Sequence, residues 1–129
     1  MNTLNDFGAY KLDWYIPSKT LSLSLSGDYT LENAQEVNRL ISDRLDQSQS
    51  PVSILIDATQ MNRPFNFSNI RSTQTYMNHQ RLHRIYVAAG DRLVRLALIV
   101  IFNWSRAPLY VCEDLDKASV LLKKHLASS

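Results

Sequence analysis

Residues 52–56 read Val-Ser-Ile-Leu-Ile, an almost unbroken apolar run opened by Pro51 and closed by Asp57. Such a run has no polar side to turn to water, so it reads as a central strand buried on both faces of its sheet. Tyr10, Leu12, Trp14 and Ile16 alternate with Lys11, Asp13 and Tyr15, the period of a strand with one buried face. Leu21, Leu23 and Leu25 alternate with Ser22, Ser24 and Ser26 in the same way, and Pro17-Ser18-Lys19 is a turn between the two. An antiparallel hairpin therefore comes first, and the serines suggest a sheet face partly uncovered by helices.

Helical spacing takes over after Gly27-Asp28. Thr30 is placed to cap a helix with Glu32 in its first turn, and Leu31, Ala34, Val37, Ile41 and Leu45 form one apolar stripe. A polar loop from Asp57 to Asn66 precedes a second helix expected over Phe67 to Leu82, with Ile70, Thr73, Met77 and Leu82 inward. Ile85 to Ala89 is the next strand, and Arg92 to Trp104 has the length of a third helix. Pro108 introduces a last strand, Leu109 to Cys112. Asp114 caps a final helix carrying Ala118, Leu122 and Leu126 on one side.

The order ββαβαβαβα describes one α/β domain with a five-stranded mixed sheet: an N-terminal antiparallel hairpin, then alternating helices and largely parallel strands. With 129 residues, 45% of them hydrophobic, the chain is long enough to close its own core. Its three scattered glycines cannot build a glycine-rich phosphate loop, and its single cysteine excludes an internal disulfide and a Cys-built zinc site. A net charge of +2 is too mild to argue for nucleic acid. The start has no basic and apolar leader pattern, and the greasiest run, Leu93 to Trp104, is broken by Arg95 and falls short of the roughly 20 residues of a membrane span. A cytoplasmic protein without a membrane span is the expectation.

This order resembles the STAS superfamily, the fold of bacterial anti-sigma-factor antagonists, in its SpoIIAA-like branch. The resemblance is carried by Leu23-Ser24-Leu25-Ser26-Gly27, by Ile54-Leu55-Ile56-Asp57, and by Val111-Cys112-Glu113-Asp114 leading to Ala118 and Leu122. It implies a phosphorylatable hydroxyl at the start of the helix after the central strand, where Ser68 is the serine available. This sequence lacks the double hydroxyl and the glycine of the family's pattern there. A helix N-terminus suits a phosphate, but plain capping also accounts for a serine at such a place.

No assembled catalytic set emerges, so a non-enzymatic protein-interaction or regulatory domain without cofactor or metal is expected. The alternative is a protein binding a small or lipid-like ligand near Asp57, Asn62, Arg63 and Ser68, since strand ends carry ligands in open α/β sheets. Asp57 also suits a loop-fixing role. His79 and His83 would share a helix face four residues apart, a weak zinc spacing with no third ligand. His125 belongs to the last helix, and Cys112 reads as a small buried residue. Arginines at 63, 71, 81, 84, 92 and 95 fall on different elements and form no recognition surface for nucleic acid.

The third helix is apolar all round. Leu93, Leu96, Ala97, Val100 and Trp104 make one face, expected to line the core. Val94, Leu98, Ile101 and Phe102 are then surplus, and a homodimer contact through them is expected, with Arg95 at its rim.

Overall fold

A computed structural model describes residues 10–62, 67–102 and 105–128. The elements are β1 (Tyr10–Ile16), β2 (Thr20–Gly27), α1 (Leu31–Gln47), β3 (Val52–Met61), α2 (Phe67–Thr73), a 3-10 turn (Thr75–Asn78), β4 (Leu82–Ala88), α3 (Arg92–Phe102), β5 (Leu109–Cys112) and α4 (Leu115–Ala127). The strands lie in the order β1-β2-β3-β4-β5; β1 pairs antiparallel with β2 and all other pairs are parallel. Each parallel crossover steps to the next strand in the same direction. With one preferred hand, such steps put every crossover helix on the same face.

That face holds the main core. Leu21, Leu23 and Leu25 of β2 and Val52, Ile54 and Ile56 of β3 meet Val37, Ile41 and Leu45 of α1, Ile70 of α2 and Leu98 and Ile101 of α3. Among the described residues the opposite face is covered by α4, whose Ala118 and Leu122 pack on Leu55, Tyr86 and Ala88. Leu55 thus has its own partner across the sheet from Ile54 and Ile56, as a two-faced strand requires. Beyond α4 the outer face of β1–β2 is left partly open at Ser22 and Ser24. Tyr15 there reaches Ser119 of α4, hydroxyl to hydroxyl at 2.6 Å.

Local signals place the helix starts. Thr30 Oγ1 accepts from Asn33 N–H, and Asn33 Oδ1 accepts from Thr30 N–H, a reciprocal capping box at 3.1 Å each. Asp114 accepts from Lys117 N–H at 2.8 Å in the same role for α4.

Two elements differ from the sequence-based expectation. The strand expected to close at Asp57 runs on to Met61, because the end of β2 continues to pair with it after a bulge: Ser24 faces Asp57, but Ser26 faces Gln60. The expected helix over Phe67–Leu82 stops at Thr73, is followed by one 3-10 turn, and gives way to a strand at Leu82. Asn38 of α1 causes part of this: its Oδ1 accepts from Tyr76 N–H at 2.9 Å, and its amide donates to the Thr75 hydroxyl. Gln74 turns inward to receive the Tyr29 hydroxyl. Serine, threonine and asparagine in this stretch resist weakly enough for such contacts to win.

Candidate functional site

The four residues expected to gather after the central strand do not assemble. Asp57 points to the α4 side of the sheet, because its neighbours Ile56 and Ala58 are buried on the other. Its carboxylate accepts from the Thr59 N–H at 3.1 Å and from the Thr59 hydroxyl at 2.6 Å, within the β3 bulge. This is the structural use of a strand-end aspartate. Asn62 donates to Asp28 at 2.9 Å and ties the end of β3 to the segment after β2. Ser68 is exposed in the first turn of α2, on the α1–α3 side. Arg63 lies outside the described residues.

The histidine pair is separated as well. His79 follows the 3-10 turn and His83 sits exposed on β4, since the helix that would have aligned them ends at Thr73. His79 Nδ1 accepts from Arg81 N–H at 3.0 Å, which leaves Nε2 to donate to Asp46 at 2.7 Å. Both ring nitrogens are thereby engaged. Among the described residues no three His, Cys, Asp or Glu side chains converge as a metal site would need.

Sequence reasoning missed a cluster beneath α4. Tyr86 of β4 stacks on Tyr110 of β5 with ring centroids 5.2 Å apart, and the Tyr86 hydroxyl meets His125 Nδ1 at 2.5 Å. Tyr110 and His125 are themselves in ring contact. Burial pushes the Tyr86 hydroxyl pKa up, with Arg84 pulling the other way. Burial likewise raises the half-buried Cys112 thiol, which favours its protonated form at neutral pH. The only sequence signal for this cluster was that residues 86 and 110 occupy the same face of neighbouring strands, which needs the register to see.

The outer face of α3 is where the structure departs most from expectation. Val94, Leu98, Ile101 and Phe102, expected as a surplus dimer face, are buried core residues. Leu93 is instead 53% exposed, Leu96 50%, Ile99 37% and Val100 42%. The two stripes, 93/96/97/100 and 94/97/98/101, have the same helical spacing, so periodicity could not choose between them. Arg95 fixes the choice: its guanidinium donates to the carbonyls of Ala89 and Gly90 at 2.9 Å, locking the helix to the end of β4. Asp91 Oδ1 accepts from Leu93 and Val94 N–H and holds the first turn. Trp104 lies outside the described residues. An apolar stripe in water therefore survives, but on the opposite side of the helix.

Against solved structures, the chain is similar to an uncharacterized protein of the DUF3478 family from Shewanella loihica PV-4, described as having a SpoIIAA-like fold. The identity is 16%, the TM-score 0.62, and the match covers 88% of this chain and 91% of that one. The fold is SpoIIAA-like. No protein-family model and no curated protein matches the sequence. Within this SpoIIAA-like frame Ser68 occupies the first turn of the helix after the central strand, the place the STAS resemblance assigns to a phosphorylatable hydroxyl. No helix among the described residues is long and apolar enough to cross a membrane.

Proposed function

We propose that the chain is a non-enzymatic interaction domain that pairs with a second copy of itself through the outer face of α3. One observation carries this reading: Leu93, Leu96, Ile99 and Val100 stand exposed side by side on one helix. Residues 93, 96 and 100 follow the a, d, a spacing of a helix-to-helix seam, which suits a helical partner better than a small molecule. A twofold pair would use the same patch on both copies.

The apolar gain on pairing is of the same order as the cost of association. Covering what is exposed of four such side chains on two copies removes on the order of 600 Å² of apolar surface, about 15 kcal/mol at roughly 25 cal/mol/Å². Association costs about 4–15 kcal/mol. Pairing is therefore concentration-dependent. Light scattering behind a sizing column at tens of micromolar (about the range where weak dimers form) tests it. The expected result is a dimer for the wild type and a monomer of unchanged circular dichroism for Leu96→Glu. A monomeric wild type, or a dimer that survives Leu96→Glu, overturns the reading.

A further inference from the structure

A cleft of about 470 Å³ opens where the end of α1 meets the β1–β2 turn. Its walls are Trp14, Ser18, Arg44 and residues 47–50, a Gln-Ser-Gln-Ser turn. The volume falls within the few hundred Å³ typical of small-molecule sites. The lining includes one cation, hydroxyls, amides and one aromatic ring, and no carboxylate.

The side chains around this cleft point to an anion with an attached ring. The Arg44 side chain is half-buried and has no hydrogen-bond or ion-pair partner among the described residues, whereas Arg39 pairs with Asp43 and Arg95 with two carbonyls. At the C-terminal end of α1 the Arg44 and Leu45 carbonyls are taken by the hydroxyl and N–H of Ser48, and no carbonyl there accepts from the Arg44 guanidinium. A second guanidinium, that of Arg81, reaches the rim and donates to the Gln49 carbonyl at 3.1 Å. The acids nearest in sequence, Asp43 and Asp46, are engaged by Arg39 and His79. Across from Arg44, Ser18 is held at φ 65°, the left-handed region that favours glycine. A serine kept there places a hydroxyl on the cleft wall. Trp14, half-buried, supplies a flat apolar surface beside these donors.

We propose that this cleft binds a small flat-ring oxyanion, its carboxylate or phosphate held by the Arg44 fork and its ring stacked on Trp14. A guanidinium matches either oxyanion through two parallel N–H donors, which an ammonium cannot copy. The site is independent of the α3 face and of self-association.

The test follows the Trp14 indole N–H by NMR, assigned through Trp14→Phe, during titration with benzoate and with adenosine 5′-monophosphate. Adenosine and inorganic phosphate serve as the single-feature controls. One of the two ring oxyanions is expected to give a saturable shift with a Kd of about 1 mM or tighter. Arg44→Met should weaken it by about tenfold or more, and Arg44→Lys by less. Arg44→Gln is a second variant should the methionine disturb folding. No saturable shift up to about 10 mM with either compound overturns the site. Adenosine alone binding as well as its monophosphate overturns the anion assignment. Inorganic phosphate alone binding as well overturns the ring assignment, and a shift undiminished in Arg44→Met and Arg44→Gln removes Arg44 from it.

Discussion

Truncating Leu98 and Leu96 to alanine, two positions apart on α3, separates the two possible rotations of that helix. Leu98 is 2% exposed and packed in the main core, so Leu98→Ala loses both the transfer free energy and the contacts around the cavity left behind, about 2–5 kcal/mol. Leu96 keeps half its surface in water, so Leu96→Ala leaves no enclosed cavity and costs under about 1 kcal/mol. Helix propensity changes equally in both variants and cancels from the comparison. At about 3–5 °C per kcal/mol for a chain of this size, Leu98→Ala should melt about 6–25 °C lower and Leu96→Ala within about 5 °C of wild type. Urea unfolding followed by far-ultraviolet circular dichroism gives the same comparison at equilibrium. It is run near 1 µM (roughly, to keep self-association from adding stability). A loss for Leu96→Ala equal to or larger than that for Leu98→Ala would refute the orientation of α3 and with it the exposed stripe.

Two further changes test the backbone and the charge balance. Ser18 occupies the third position of a turn with Pro17 before it, closed by Lys19 N–H on the Ile16 carbonyl at 3.0 Å. Ser18→Gly relieves the left-handed strain at a smaller entropic cost and should stabilise by about 0.5–1 kcal/mol in the same urea assay; a destabilised variant refutes the turn geometry. His83 is exposed but partly desolvated against the sheet, and its pKa is lowered from its ordinary 6.5, by that desolvation first and by the Arg84 charge second. The unfolded chain then takes up a proton at higher pH than the folded one, so stability falls as pH drops through 6.5 and levels off below the folded-state value. His83→Gln should remove that component, and an NMR titration midpoint for His83 at or above 6.5 contradicts it.

The elements legible from sequence are those whose signal is local. Alternation gave β1 and β2, the i, i+3, i+7 spacing of Ala34, Val37 and Ile41 gave α1, and Asp114 marked the start of α4. What escaped depends on partners far away in the chain. The break in α2 is made with Asn38, 38 residues from Tyr76, and the extension of β3 is made by pairing with the end of β2. The Tyr86–His125 contact spans 39 residues and appears only once α4 folds onto the sheet. Asp57, Asn62 and Ser68 are near one another in sequence, but a strand alternates faces, and that alone sends Asp57 away from the helix bearing Ser68.

The exposed stripe on α3 follows from topology rather than from its composition. In a sheet built in the order β1 to β5, the three crossover helices lie in a row, with α2 in contact with both α1 and α3. α3 is last in that row. A helix in the middle of a layer is covered by a helix on either side, and an all-round apolar sequence there needs nothing further. At the end of the layer, among the described residues, a helix covers only one flank, and below it β5 is just four residues long. The sheet takes Val94, Leu98 and Ile101, α3 meets α2 on one side, and Leu93, Leu96, Ile99 and Val100 are left facing water. Leucine and isoleucine at those positions do not improve a monomer's core. A helix confined to capping the layer would be served as well by lysine, glutamate or glutamine there, with the same propensity and better solubility. Their presence is the physical case for a partner on that edge, and a second copy presents a face of matching chemistry.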